Sequence, residues 1–164
     1  ASGWITAMSS ALLVAGLVAS CGGRAAMTCA PGAEPPSQGE SRVPMELVPS
    51  LVQAGTVASL SVQPVPDFDS SAQLIGSVSY WQCWTGSEWM DTHVLERTPG
   101  GSYRTAPLDP VTPPTIEAVA YPLPEVFTIE IPDVRTGTYR IRDYVQISPD
   151  VSVEGFVMVE VGGG

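Results

Sequence analysis

The chain has 164 residues and a formal net charge of −10, from 17 acidic and 7 basic side chains. That length suits one domain beside any leader, and the acidic balance argues against nucleic acid and against a basic face for anionic lipid headgroups. Charged residues are sparse and β-branched residues plentiful, which favours strands over helices.

The opening stretch is apolar and ends in Ala11-Leu12-Leu13-Val14-Ala15-Gly16-Leu17-Val18-Ala19-Ser20-Cys21, followed at once by Gly22 and Gly23. Serines, a threonine and glycine interrupt residues 4–20, so the run fits the apolar region of a secretory signal better than the roughly 20 apolar residues of a spanning helix. Val18-Ala19-Ser20-Cys21 resembles the lipobox of bacterial lipoproteins. The resemblance implies that residues 1–20 are a signal peptide, that diacylglycerol is attached to the Cys21 thiol, and that Cys21 becomes the first residue of the mature protein. Two acyl chains are enough for stable anchoring. The expected location is therefore extracytoplasmic, held by lipid to the cell membrane or the outer membrane. A signal cut by the ordinary peptidase and an uncleaved anchor are the alternatives. The positively charged region that precedes such a run is absent, and the sequence is read as starting part-way through the signal. The lack of any lysine or asparagine fits the coding bias of a GC-rich bacterium.

Residues 21–42 are rich in Gly, Pro and Ser and nearly free of large apolar side chains. They cannot bury enough surface to offset the entropy of ordering, so they read as a disordered tether that holds the domain some tens of ångströms from the bilayer. With Cys21 assigned to lipid, Cys29 and Cys83 remain. An exported protein can oxidise them to a disulfide. Because Cys29 falls in the tether, a buried free thiol at Cys83 is the favoured state, with the disulfide as the alternative.

From Val43 the pattern changes to short apolar alternations between turn residues. Residues 44–48 read as a first strand, and 56–62 as a second with Ala58, Leu60 and Val62 on one face. A loop follows over 64–71. Residues 77–84 and 88–95 flank Thr85-Gly86-Ser87 and make a hairpin carrying Tyr80, Trp81, Trp84 and Trp89. Period-two alternation with Cys83 inward puts Trp81 inside as well; the opposite register buries Tyr80, Gln82 and Trp84. Residues 98–102 and 107–124 are the least regular region, with a short edge strand over 115–121. Strands over 126–131, 138–147 and 155–161 complete the domain.

About seven short strands with regular turn signals and no helical periodicity imply an all-β fold, an antiparallel β-sandwich. The stretch from Phe127 to Ile141, an apolar strand, a turn ending in Gly137, and Tyr139-Arg140, resembles the corresponding part of bacterial immunoglobulin-like, or fibronectin-like, domains. The hairpin Gln82-Cys83-Trp84-Thr85-Gly86-Ser87-Glu88-Trp89 is similar to theirs as well. The resemblance implies an immunoglobulin-like sandwich over residues 43–161 with a tail at 162–164. It also implies structural roles for Gly137 and for Tyr139 as a tyrosine corner, whose hydroxyl returns to an upstream backbone group. The intersheet disulfide of antibody domains has no counterpart, since no cysteine lies in the later strands.

Chemistry-bearing residues are few. Cys83, Asp91 and His93 can be written as a triad, but there is no evident oxyanion stabiliser and no Gly-x-Ser-x-Gly turn. A single histidine cannot supply the two that copper sandwich sites use. Asp67, Asp69 and Asp150 lie in turns, where aspartates ordinarily shape the backbone, and a calcium site needs six or more oxygens. No catalytic or metal-ligating set and no cofactor are expected. The hairpin aromatics Tyr80, Trp81, Trp84 and Trp89 form a candidate binding surface, because alternation must leave some rings on the solvent side. The expected function is thus a lipid-anchored, non-catalytic binding or structural module of the cell envelope. Its expected partners are the membrane, through Cys21, and a protein or envelope polymer. A small extracytoplasmic enzyme or metal-handling lipoprotein is one alternative, and an accessory subunit or inhibitor of an envelope enzyme another.

Overall fold

The computed structural model describes residues 29, 33–37, 41–97, 103–109, 111 and 119–163. The expected signal peptide, Cys21, most of the tether, most of the strand expected over 115–121, and Gly164 lie outside the described residues. Among the described residues no helix is long and apolar enough to cross a membrane.

The chain is all-β. Among the described residues eleven strands form two sheets: β1 (Met45–Val48), β2 (Leu51–Gln53), β3 (Val57–Val62), β4 (Leu74–Gly76), β5 (Val78–Trp84), β6 (Trp89–Arg97), β7 (Tyr103–Pro107), β8 (Ala120–Pro122), β9 (Glu125–Glu130), β10 (Gly137–Ser148) and β11 (Val151–Gly162). The smaller sheet has the order β1-β3-β9 and the larger β2-β11-β10-β5-β6-β7, with β4 paired to β10 and β8 to β4. All pairings are antiparallel except β2 with β11, which run parallel.

The two sheets bury one shared apolar layer. Ala58, Leu60 and Val62 of β3 face Trp81 and Cys83 of β5, Ile141 and Val145 of β10, and Val159 and Val161 of β11, all in one core cluster. Period-two alternation places these residues on the inner faces. Gly155 is required for a close approach here: a Cβ on it would lie 2.4 Å from Val43 Cβ. The backbone of β11 thereby lets Val43, fully buried, seat the start of the domain. Just before it, the Ser41 hydroxyl accepts from the Phe156 N–H at 3.0 Å and donates to the Val43 carbonyl at 2.7 Å.

The larger sheet curls at its β7 edge toward the smaller one, where the Thr105 hydroxyl donates to the Glu130 carbonyl at 2.7 Å. The chain also changes sheets between β1 and β2, at the cis Val48–Pro49 bond. The expected count of about seven strands was therefore low. The additions, β2, β4 and β7, span 3, 3 and 5 residues, while β8 overlaps the end of the strand expected over 115–121. Runs that short show too little alternation to be recognised, and they form because neighbouring strands offer them unpaired backbone groups.

The free thiol expected at Cys83 is replaced by a Cys29–Cys83 disulfide, with the two Cα atoms 5.5 Å apart. Composition made residues 21–42 a tether throughout, yet the bond carries Cys29 against the core. Composition measures what a segment can bury unaided and is blind to a covalent tie made at a distance.

Tyr139, at the start of β10, donates from its hydroxyl to the Arg135 carbonyl at 2.8 Å, and its ring centroid lies 5.1 Å from that of Trp81. Gly137, at φ 155°, opens the strand. Burial raises the pKa of the Tyr139 phenol, so the hydroxyl remains a donor at neutral pH. Tyr139→Phe keeps the ring against Trp81 and removes one hydrogen bond, so a loss of about 1 kcal/mol is expected in urea unfolding. A loss near zero would mean the hydroxyl contributes nothing beyond its ring.

Candidate functional site: the outer face of the larger sheet

With Trp81 and Cys83 turned inward, at 0% and 1% exposure, Tyr80, Gln82 and Trp84 are turned to the outer face of β5. Trp81 therefore drops out of the candidate surface: its ring fills the core. The β5–β6 register sets Trp84 opposite Trp89 and Gln82 opposite Asp91, with an irregularity between Trp81 and Gln82. On the other side, β10 sets Arg140 opposite Gln82 and Arg142 opposite Tyr80. β11 then sets Phe156 opposite Arg142 and Glu154 opposite Tyr144.

This register interleaves guanidinium groups with rings. The Arg140 guanidinium carbon lies 4.6 Å from the Trp89 ring centroid and 5.2 Å from that of Phe156. The Arg142 carbon lies 5.0 Å from both Tyr80 and Tyr144. Trp84 and Trp89 are tilted at 60° with centroids 5.6 Å apart. Cation–π contacts of this kind contribute about 0.5–2 kcal/mol each, the upper end applying where water is excluded.

A polar chain runs beneath the rings. Arg140 Nε donates to Gln82 Oε1, and Gln82 Nε2 donates to Asp91 Oδ1 at 2.6 Å. Arg142 Nη2 donates to Asp91 Oδ2 at 2.8 Å, and Arg142 Nη1 to the Tyr144 hydroxyl at 2.7 Å. Gln82 is consequently buried although it faces outward. Burial pulls the Arg140 pKa down, chiefly opposed by the Glu154 carboxylate; an arginine so placed is still charged at neutral pH. Tyr144 keeps 41% of its surface exposed, while Tyr80, Trp84 and Trp89 are half-buried.

The result is a platform of aromatic rings around guanidinium groups that are bonded to Gln82, Asp91 and the Tyr144 hydroxyl. Such a surface suits a ligand with its own flat faces. Arg140, Arg142, Tyr144 and Phe156 were not singled out from sequence. For the first three the signal was present in the alternation of β10, where positions 140, 142 and 144 share the face opposite Ile141; Phe156 lies on β11.

The catalytic arrangement weighed from sequence is not assembled. The Cys83 sulfur is bonded to Cys29, and the Asp91 carboxylate is taken by Gln82 and Arg142. His93 lies opposite Trp81, with Nδ1 3.0 Å from the Thr92 hydroxyl, and burial lowers its pKa. β6 lies between β5 and β7, and His93 is half-buried on it. Asp69 serves the turn: it accepts from the Ser71 N–H at 3.0 Å and the Ser71 hydroxyl at 2.8 Å, and these bonds lower its pKa. Among the described residues no group of three or more His, Cys, Asp or Glu side chains is placed to hold a metal ion. An open depression of about 530 Å³, lined by Gln53, Val134, Arg135 and Thr136 among others, lies at the end of the sandwich where β10 begins.

No protein-family model matches this chain, and no curated protein is significantly similar to it.

Proposed function

We propose that this protein is a lipid-anchored component of the bacterial cell envelope built on an immunoglobulin-like sandwich, and that it acts as a non-catalytic binding module through the outer face of its larger sheet. The observation that carries the binding role is the pair of guanidinium groups each lying over two aromatic rings. A structural sheet face needs only solubility, whereas this one arrays five aromatic rings and two arginines on adjoining strands.

Three features support the immunoglobulin-like reading. The strand order pairs a three-stranded sheet with a larger one whose first strand runs parallel to its last. Trp81 is wholly buried on a central strand of the larger sheet, and Tyr139 returns its hydroxyl to the turn before its strand. Both are marks of that architecture. The anchoring role rests on the lipobox-like Val18-Ala19-Ser20-Cys21, and the disulfide is in keeping with an oxidising compartment. The partner is a protein or an envelope polymer.

Two experiments test the reading. Cys21→Ser is expected to abolish labelling by a fatty-acid analogue; continued labelling overturns the anchor. Immobilised protein is expected to retain an envelope component that Trp84→Ala combined with Tyr144→Ala loses by tenfold or more, the effect of deleting aromatic hot spots worth about 2 kcal/mol or more in total. Equal retention by the double variant, with its unfolding midpoint unchanged, overturns the assignment of the face.

A further inference from the structure

A lipid on Cys21 could reach the folded domain along two routes. Along the chain, Ser41 is the first residue before the core, docked on Phe156 of β11. It lies 20 residues after Cys21, a contour of at most about 72 Å. Through the disulfide, the domain begins instead at Cys29, which is 8 residues after Cys21 and permits at most about 29 Å. The shorter route must set the reach, because the longer one goes slack first.

The two routes also enter the domain at different places. Cys83 is opposite Tyr139 at the end of β5, one residue before Trp84. It leads straight into the β5–β6 turn, closed by the Thr85 N–H on the Glu88 carbonyl at 2.9 Å. Ser41 enters on β11, two strands away in the sheet order.

We infer that the Cys29–Cys83 disulfide, and not the start of the domain at Ser41, is the point from which the anchored chain hangs, holding the β5–β6 turn with Trp84 and Trp89 close to the bilayer. The inference rests on lipid at Cys21. It narrows the partner of the aromatic face to one displayed at the membrane surface, and it makes the reach of the domain depend on redox state. Reduction moves the attachment point from Cys29 to Ser41 and more than doubles the permitted contour.

The test uses the full chain in vesicles of phosphatidylethanolamine and phosphatidylglycerol, with a donor dye attached by azide–alkyne coupling to an unnatural amino acid in place of Ser87, which adds no thiol, and an acceptor dye in the lipid. Twenty Gly/Ser residues inserted between Arg24 and Ala25 raise the root-mean-square span from Cys21 to Cys29 from roughly 16 Å to roughly 29 Å and are expected to lower energy transfer about twofold. The same insert between Gly39 and Glu40 lies inside the disulfide loop and is expected to leave transfer unchanged until dithiothreitol is added, when it falls. An equal response to both insertions, with the disulfide verified by non-reducing peptide mapping, overturns the inference. A chain that fails to float with the vesicles refutes lipidation instead. A maleimide lipid coupled to the Cys21 thiol, the one thiol free when Cys29 and Cys83 are paired, then supplies the anchor, and the same two insertions decide the attachment point.

Discussion

Asp143→Ala is expected to destabilise the domain by about 3–5 kcal/mol, the cost of leaving one buried charge without its partner. Asp143 and Arg97 form an ion pair inside the sandwich, with side chains 1% and 3% exposed. Ser79, wholly buried, donates to the same carboxylate oxygen and is contacted by Arg97, while the Tyr144 N–H donates to the other oxygen at 3.0 Å. Arg97 also donates to the Gly76 carbonyl, and its guanidinium carbon lies 3.9 Å from the Phe127 ring centroid. One cluster thus ties β5, β6 and β10 to a ring of the opposite sheet. Removing the carboxylate leaves a guanidinium in a space closed to water.

Joint replacement should behave differently. Burial pushes the Asp143 pKa up, with Arg97 the largest opposing influence. The carboxylate therefore loses more by leaving water than its partners return. Arg97→Met with Asp143→Leu is accordingly expected to recover most of the loss, since well-packed apolar residues often equal or exceed a buried pair. The pH dependence has a definite sign. A carboxyl whose folded pKa is raised contributes most below the ordinary value of about 3.9, and its contribution falls as pH rises through the raised value. Urea midpoints of the single and double variants across that range measure both effects. A double variant no more stable than Asp143→Ala would show that the pair is favourable in its own right.

Loss of the disulfide is the second large effect. Cys29 and Cys83 are 54 residues apart in sequence, and closing a loop of that size in the unfolded chain corresponds to about 4 kcal/mol. Cys29→Ser isolates that contribution, because Cys83 remains as a small buried thiol that packs like an apolar side chain. The unfolding free energy of Cys29→Ser is expected to match that of the reduced wild type and to lie about 4 kcal/mol below the oxidised protein. If reduction left the wild-type midpoint in place, the crosslink would be constraining nothing that unfolding releases.

The alternation of Ala58, Leu60 and Val62 was legible because one face of β3 is buried and the other wet. The same holds for Phe127 and Ile129 in β9. The inward register of Trp81 and Cys83 followed from the preference of cysteine for the interior, and burial agrees with it. Asp143 shares its alternation with Ile141 and Val145, which was the one available sign of a buried carboxylate. Its partner, Arg97, is 46 residues away in sequence, and no local pattern pairs them. The stacking of Arg140 and Arg142 was likewise hidden, since each ring that holds them belongs to another strand or to the next turn of the alternation. The triad of Cys83, Asp91 and His93 could be written only because proximity in sequence says nothing of which partners each side chain takes.

What the amino-acid order determined alone was the periodicity, and with it the all-β class and the main strands, because a pleated strand carries its burial pattern in its own residues. Sheet membership, the curl that brings β7 toward β9, the Cys29–Cys83 bond and the aromatic–arginine face were decided only in three dimensions. Each depends on contacts between segments far apart in the chain, whose free energy exists only after the sheets have brought them together.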